Sequence, residues 1–492
     1  MSARNGVIRI VVFVTRISIH SGPEPVFFTT ECRQSTASRT PLTNWYSLNT
    51  SICTHNDGSR IQPTLTCVAG ECRGSETLPV QKPADIFARS PGKAASEWST
   101  EMPWSPVHVG SFVKRVTALV ALAALAAPAI AGPREQGKRM HDRIAGVPPS
   151  ASVLDAMEAE IAAGRTQAAA LIAMDNPAFY SVTLKNLATP WTNRAQTVFA
   201  PLNDYTATVI GMVRDDVPFN ELLSADILYV GNAGLGLPAV SASNNDHYAQ
   251  METRGTNLLT GLQRTTQSGV YGTPPAATAG VMTTRAAAES FFIAGTNRAM
   301  FRFTLLNHMC RDLEEVQDTS RPPDRIRQDV SRSPGGDARL FLNNCVGCHS
   351  GMDPMAQAFA YYTYDETQGR MVYSGGNVQP KYFNNDTTFA FGFRTPDDQW
   401  ENRWRAGQNA LLGWDASLPG SGSGAKSLGE EFGASDAFAS CQVEKVFRTV
   451  CLRAPQDTAD RNRLATMTNA FRSSGFRLKQ AFADAAAYCM GD

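Results

Sequence analysis

The chain has no excess of charge of either sign: 45 Lys and Arg face 45 Asp and Glu across 492 residues. That balance, without a dense basic cluster, argues against an electrostatic binder of nucleic acid. Histidine is scarce. Beyond residue 131 there are only His141, His247, His308 and His349, too few for a histidine-rich metal site. There is one Cys-x-x-Cys pair and no second, which removes the usual four-ligand arrangement for structural zinc. No nucleophile elbow, Walker loop or HExxH occurs, and no internal repeat of fixed period is evident. Hydrophobic residues nevertheless make up 43% of the chain, enough for a sizeable core.

The first hundred residues differ from the rest. They are rich in Ser, Thr and Arg and lack sustained periodicity. From Met102 a three-part pattern follows. Lys114 and Arg115 precede the apolar run Val116–Ala127, and Ala129-Ile130-Ala131 supplies a small-x-small cleavage site. This reads as a secretory signal peptide over 102–131, cleaved after Ala131. The apolar run is shorter than the roughly 20 residues of a membrane span. Met102 is therefore expected to be the true start, with residues 1–101 a translated upstream stretch. The other reading is a disordered extension with a signal anchor. Gly132 rather than Cys follows the site, so no lipid anchor is expected. The mature product is expected in the periplasm or secreted, with no stable membrane span.

Beyond the leader, the pattern predicts a mainly α fold with long irregular loops and few short strands. A helical domain is expected over 132–316, with helices at Ala151–Ala163, Gln167–Met174, Phe179–Asn186 and one ending near Asp215, and a long loop region at 231–280, with room for short strands. A single helix is expected over Arg285–Leu313, with Phe291, Phe292, Met300, Phe303, Leu306 and Met309 as a core-facing stripe. Residues 317–336 read as a linker. Residues 337–430 read as a segment around the Cys-x-x-Cys pair followed by loops, with Gly420–Gly424 flexible. A helical hairpin is expected over 431–492. In it, Ser435 caps Asp436–Arg453, and Thr458–Tyr488 follows, with a break near Ser473-Ser474-Gly475.

Ten cysteines divide into groups. Cys32, Cys53, Cys67 and Cys72 lie in the leader, and Cys345 and Cys348 form the pair. Cys310, Cys441, Cys451 and Cys489 are left, an even number that in an exported protein suggests two disulfides; buried free thiols are the alternative. Cys441 and Cys451 stand ten apart on one helix, about 15 Å of rise, too far to bond. A two-helix hairpin would bring Cys441 and Cys489 to one open end, so the expected pairs are Cys441–Cys489 and, by elimination, Cys310–Cys451.

The run Cys345-Val-Gly-Cys348-His349 carries the most specific chemistry. Two thiols on one helical turn can add to the two vinyl groups of a haem, and the adjacent imidazole reaches the iron as an axial ligand. One covalent haem c is expected, with the Asp337–Asn344 helix packed at its edge. The opposite axial ligand stays open. Met371 is the leading candidate and His308 its rival, a five-coordinate iron being the third option. Met352 and Met355 lie too close to His349 to reach the far face. Arg370 is a candidate partner for a haem propionate, or a solvated loop residue. Asp353-Pro354 reads as a helix start, Asp capping and Pro at the first position, in preference to a catalytic aspartate.

The segment from Cys345 through Asp353-Pro354 to Tyr364-Asp365 and Gly369-Arg370 resembles the planctomycete-type cytochrome c proteins, built of consecutive domains around one haem motif. Val217–Leu223, Ala279–Thr283 with the helix to Cys310, Phe438–Cys441 and Phe476–Leu478 are similar to that family's neighbouring blocks. Residues 317–336 lack the dense Pro series common there, and 372–430 is longer than the pattern. The resemblance implies haem binding and architecture, not a reaction. Three functions are thus set against each other: an exported electron carrier serving an unidentified redox partner protein, a peroxidase- or oxygenase-like haem enzyme, and a binding or sensory protein with structural haem. Whether the chain is an enzyme stays open.

Overall fold

Short polar side chains start the helices where the sequence places them. Ser150 Oγ accepts from Val153 N–H at 3.3 Å and opens Ala151–Ala162. Asn203 opens Asp204–Arg214 in the same way, and Ser435 opens Asp436–Cys451, accepting from Phe438 N–H at 3.1 Å. Each cap satisfies one of the amide groups that a helix start leaves without an intrahelical partner.

The computed structural model describes residues 131–293, 295–326, 338–383 and 393–491, together with the strand pair Cys53–Thr54 and Arg60–Ile61. The expected signal peptide, apart from Ala131, and most of the expected linker beyond Ile326 lie outside the described residues. The chain divides into residues 1–110 and 111–492; that strand pair belongs to the first unit, and all that follows concerns the second.

This unit is mainly α. Its strands form three separate antiparallel pairs: Leu228–Gly231 with Leu262–Thr265, Tyr362–Asp365 with Arg370–Tyr373, and Gln399–Glu401 with Ser421–Ser423. No sheet has more than two strands among the described residues. The last pair occupies the Gly420–Gly424 stretch expected to be flexible, and the helix Gly424–Gly433 begins directly after it. One apolar core runs from Met140 to Ala486. The final helix, Leu478–Cys489, lies against both Thr166–Met174 and Asp436–Cys451. Phe482 and Phe179 meet there edge to face, centroids 4.9 Å apart.

The single helix expected over Arg285–Leu313 is two, Arg285–Phe291 and Arg298–Met309. Gly295 and Asn297 take left-handed backbone conformations (φ 63° and 59°), which no helix accommodates. The Asn297 side chain is fixed there by donating to Phe359 O at 2.7 Å and Tyr362 O at 2.8 Å. Of the expected stripe, Phe291, Phe292, Met300 and Met309 are buried, whereas Phe303 and Leu306 are half-buried; Phe301 and Leu305 are buried in addition.

The disulfides are Cys310–Cys441 and Cys451–Cys489, with Cα separations of 5.3 and 5.4 Å, and the expected pairing is corrected. The carboxy-terminal block is three helices, not two. Thr458–Ser473 ends at Ser474, Gly475 and Phe476, and Leu478–Cys489 turns back. Three antiparallel segments return the third helix parallel to the first, so Cys489 ends beside Cys451. Cys441 is left facing Cys310, the left-handed cap of Arg298–Met309.

No helix among the described residues is long and apolar enough to cross a membrane.

Candidate functional site

Cys345 caps the helix Val346–Ala356, which follows directly on Ala338–Asn344. That places Cys348 and His349 on the first turn of the motif helix, where a Cys-x-x-Cys-His run presents its three donors together. Cys345 and Cys348 are half-exposed and are the only unpaired cysteines among the described residues. The Cys348 thiol donates toward Leu313 O at 3.4 Å, and burial pushes its pKa up.

The helix is locked by its glycines and its neighbours. Gly347 O accepts from Asp318 N–H at 2.9 Å, and Ser350 Oγ donates to Asp318 O at 2.8 Å. A Cβ on Gly347 would meet Gln317 Cβ at 3.3 Å, so the small residue lets the 317–319 backbone approach. A Cβ on Gly351 would fall 1.8 Å from Nε1 of Trp404, whose ring is fully buried against this face.

His349 faces Asp353, one turn further along the same helix. Its Nδ1–H donates to both carboxylate oxygens at 3.1 Å. An ionised carboxylate only accepts hydrogen bonds, so Nδ1 carries a proton; in the neutral ring Nε2 is then the nitrogen with a lone pair for a metal. Nε2 has no hydrogen bond among the described residues. The ring packs at 5.9 Å from Phe341 and keeps 18% of its side-chain surface open. Arg298 grips the same carboxylate from the other side, Nε to Oδ1 at 2.8 Å and Nη2 to Oδ2 at 3.0 Å. Burial acts to raise the Asp353 pKa; the Arg298 charge and His349 overcome it and hold the carboxyl well below the usual carboxylate range.

The reading of Asp353-Pro354 as a helix start is corrected. Both residues lie inside Val346–Ala356, toward its carboxy-terminal end. The helix begins two turns earlier because Cys345 supplies the entry, and Pro354 is tolerated late in it at the expense of one backbone hydrogen bond. Spacing of four from His349 would have signalled the contact, since such residues share a helix face. Arg298 carries no such signal.

Two of the expected site residues lie elsewhere. Arg370 and Met371 are on the Arg370–Tyr373 strand, registered opposite Asp365 and Tyr364. Arg370 is exposed and Met371 half-buried against the core. Their hairpin packs on Arg285–Phe291, whereas the motif helix packs on Arg298–Met309, Gln399–Glu401 and Arg403–Arg405. His308 is enclosed by Trp191, Tyr205 and Phe438, and its Nε2 accepts from the Tyr205 hydroxyl at 2.7 Å. That nitrogen is engaged in the core.

The donor set fits a covalently held haem. It offers two free thiols three positions apart and an adjacent imidazole whose Nδ1 is held by Asp353 and whose Nε2 has no hydrogen bond among the described residues. Among the described residues no three His, Cys, Asp or Glu side chains are grouped to hold a bare metal ion. A small cleft is lined by Asp353 itself together with Thr296, Arg298, Arg325, Gln357, Tyr382 and Thr395. Within it Gln357 Nε2 is buried without a partner.

No family model, no curated protein and no solved structure matches the chain. The functional reading therefore rests on the motif and the geometry around it.

Proposed function

We propose that this chain is an exported monohaem c-type cytochrome that passes electrons through a haem bound by Cys345, Cys348 and His349. The observation that carries the reading is the His349–Asp353 contact, which occupies Nδ1 and leaves Nε2 to a ligand, one residue from a free thiol. The two disulfides fit an oxidising compartment outside the cytoplasm, where haem attachment to thiols takes place. The resemblance to planctomycete-type cytochromes c supports the same reading, and the signal-peptide pattern supports export. A bound haem supplies one-electron chemistry at its iron. Cys345 and Cys348 would anchor it and His349 would ligate it, while Phe341 shields one edge of the imidazole.

The test is expression with a haem-attachment system, followed by a pyridine haemochrome spectrum and intact mass. One covalent haem per chain is expected, lost when Cys345 and Cys348 are both changed to Ala. A wild-type chain without covalent haem ends the proposal.

A second reading, a peroxidase-like haem enzyme, draws on the same carboxylate. Negative charge behind an axial imidazole favours oxidised iron and peroxide chemistry. A high-spin ferric spectrum that shifts on adding peroxide selects this reading. A low-spin spectrum that titrates reversibly selects electron transfer.

A further inference from the structure

The Arg298–Asp353–His349 chain of contacts does more than tie two helices together. An ion pair serving stability alone needs Arg298 and Asp353. It does not need the carboxylate to face an imidazole with both oxygens at equal distance, 3.1 Å each. The forked Arg298 contact occupies one lone pair on each oxygen and fixes the plane of the carboxylate. Nδ1 lies 3.1 Å from each of those same oxygens. Asp353 is 6% exposed, so water does not compete for them. A histidine without such a partner can rotate its ring about a broad torsion and exchange its proton between two nitrogens. Here both freedoms are removed.

We propose that Asp353 is the positioning residue for the axial ligand: it fixes His349 with Nε2 directed to the haem iron and, through its negative charge, lowers the haem's midpoint potential. This rests on the haem reading of Cys345–His349. Carboxylates that accept the outer N–H of a ligating histidine make it a stronger donor, and their loss typically weakens metal binding 10- to 100-fold. A stronger anionic donor favours ferric over ferrous iron. Arg298, bonded to the same two oxygens, offsets part of that charge. Met352 and Met355, on the same helix, bring no charge.

The test uses the full chain carrying its haem, as wild type, Asp353→Asn and Asp353→Glu. Pyridine haemochrome spectra report attachment and spectroelectrochemistry reports the potential. Asp353→Asn is expected to keep its haem and to lose at least tenfold in ferric-over-ferrous preference, which is a rise of about 59 mV for one electron. Asp353→Glu, which keeps the charge, is expected to recover most of that shift. An unchanged potential in an Asp353→Asn protein with attached haem overturns this inference and leaves the haem reading standing. A wild type without covalent haem overturns both. Should Asp353→Asn fail to fold, nitrogen-15 histidine NMR of the reduced wild type decides. A slowly exchanging Nδ1–H on His349 supports the inference, and exchange at the solvent rate overturns it.

Discussion

Arg298 and Asp353 are 55 positions apart in the chain and meet in a forked ion pair, the guanidinium bonded to both carboxylate oxygens. The carboxylate is 4% exposed and the arginine side chain 24%. A pair this deeply placed contributes little net stability, because both charges lose their water. Removing one member is another matter, since it strands the other. Arg298→Met is expected to destabilise the unit by on the order of 3 kcal/mol. Replacing both residues with apolar ones of similar volume is expected to recover most of that loss. Urea titrations of the two single variants and the double variant read the coupling directly.

The Gly351–Trp404 contact predicts an overpacking defect. Gly351→Ala places a methyl group on the indole nitrogen, and a fully buried ring has nowhere to go. A loss of about 3 kcal/mol is expected, the upper part of the overpacking range. Trp404→Phe in the same chain removes the atom that collides, so the double variant should lose less than the sum of the two single ones. Thermal unfolding of all three checks this.

Disulfide connectivity is open to direct chemistry. Non-reducing peptide mapping is expected to recover Cys310 with Cys441 and Cys451 with Cys489, and no peptide joining Cys441 to Cys489. The bonds close loops of 131 and 38 residues. Loop entropy alone assigns them about 5 and about 4 kcal/mol. Cys310→Ser is therefore expected to destabilise more than Cys451→Ser, each tested in a background with the partner cysteine also changed to Ser.

His308 sets a pH dependence. Burial, and to a lesser degree the Lys445 charge, hold its pKa well below the ordinary histidine value. In the unfolded chain the imidazole takes up a proton below about pH 6.5. In the folded chain it stays neutral there. The unfolded state thus binds more protons in this window, and stability falls as pH drops below 6.5, by at most about 1.4 kcal/mol per unit from this residue. His308→Gln is expected to flatten the stability profile between pH 6.5 and 5 by that slope. Denaturant midpoints across the range measure it.

Met371 is tested by spectroscopy. If it supplies the opposite axial ligand, Met371→Ala converts a low-spin haem to a high-spin or differently ligated one. An unchanged low-spin spectrum assigns the position to another group.

The helix start at Ser435, the helix beginning at Ala151 and the mainly α character were legible in the sequence, because capping and hydrophobic periodicity act within a few residues. The Cys-x-x-Cys-His run was legible for the same reason: three donors on one helical turn need no distant partner to be brought together. The break at Asn297 was not, since what holds its side chain is a pair of carbonyls at Phe359 and Tyr362, more than 60 residues away.

What the sequence by itself determined is therefore local: that the chain is mainly helical, and that Cys345, Cys348 and His349 stand together at the start of one helix; the helices Asp246–Thr253 and Gly424–Gly433 fall in stretches that read as loops. Tertiary structure decided the rest. A third helix in the last block chose the disulfide partners by reversing the chain once more than a hairpin does. The break at Asn297 turned the next helix so that its first residue, Arg298, meets Asp353. Asp353 itself became a partner of His349 because the helix began at Val346, within the cysteines' turn, and not at Pro354. Each of these outcomes depends on where a segment ends and what waits for it in space, and neither periodicity nor spacing encodes a distant neighbour.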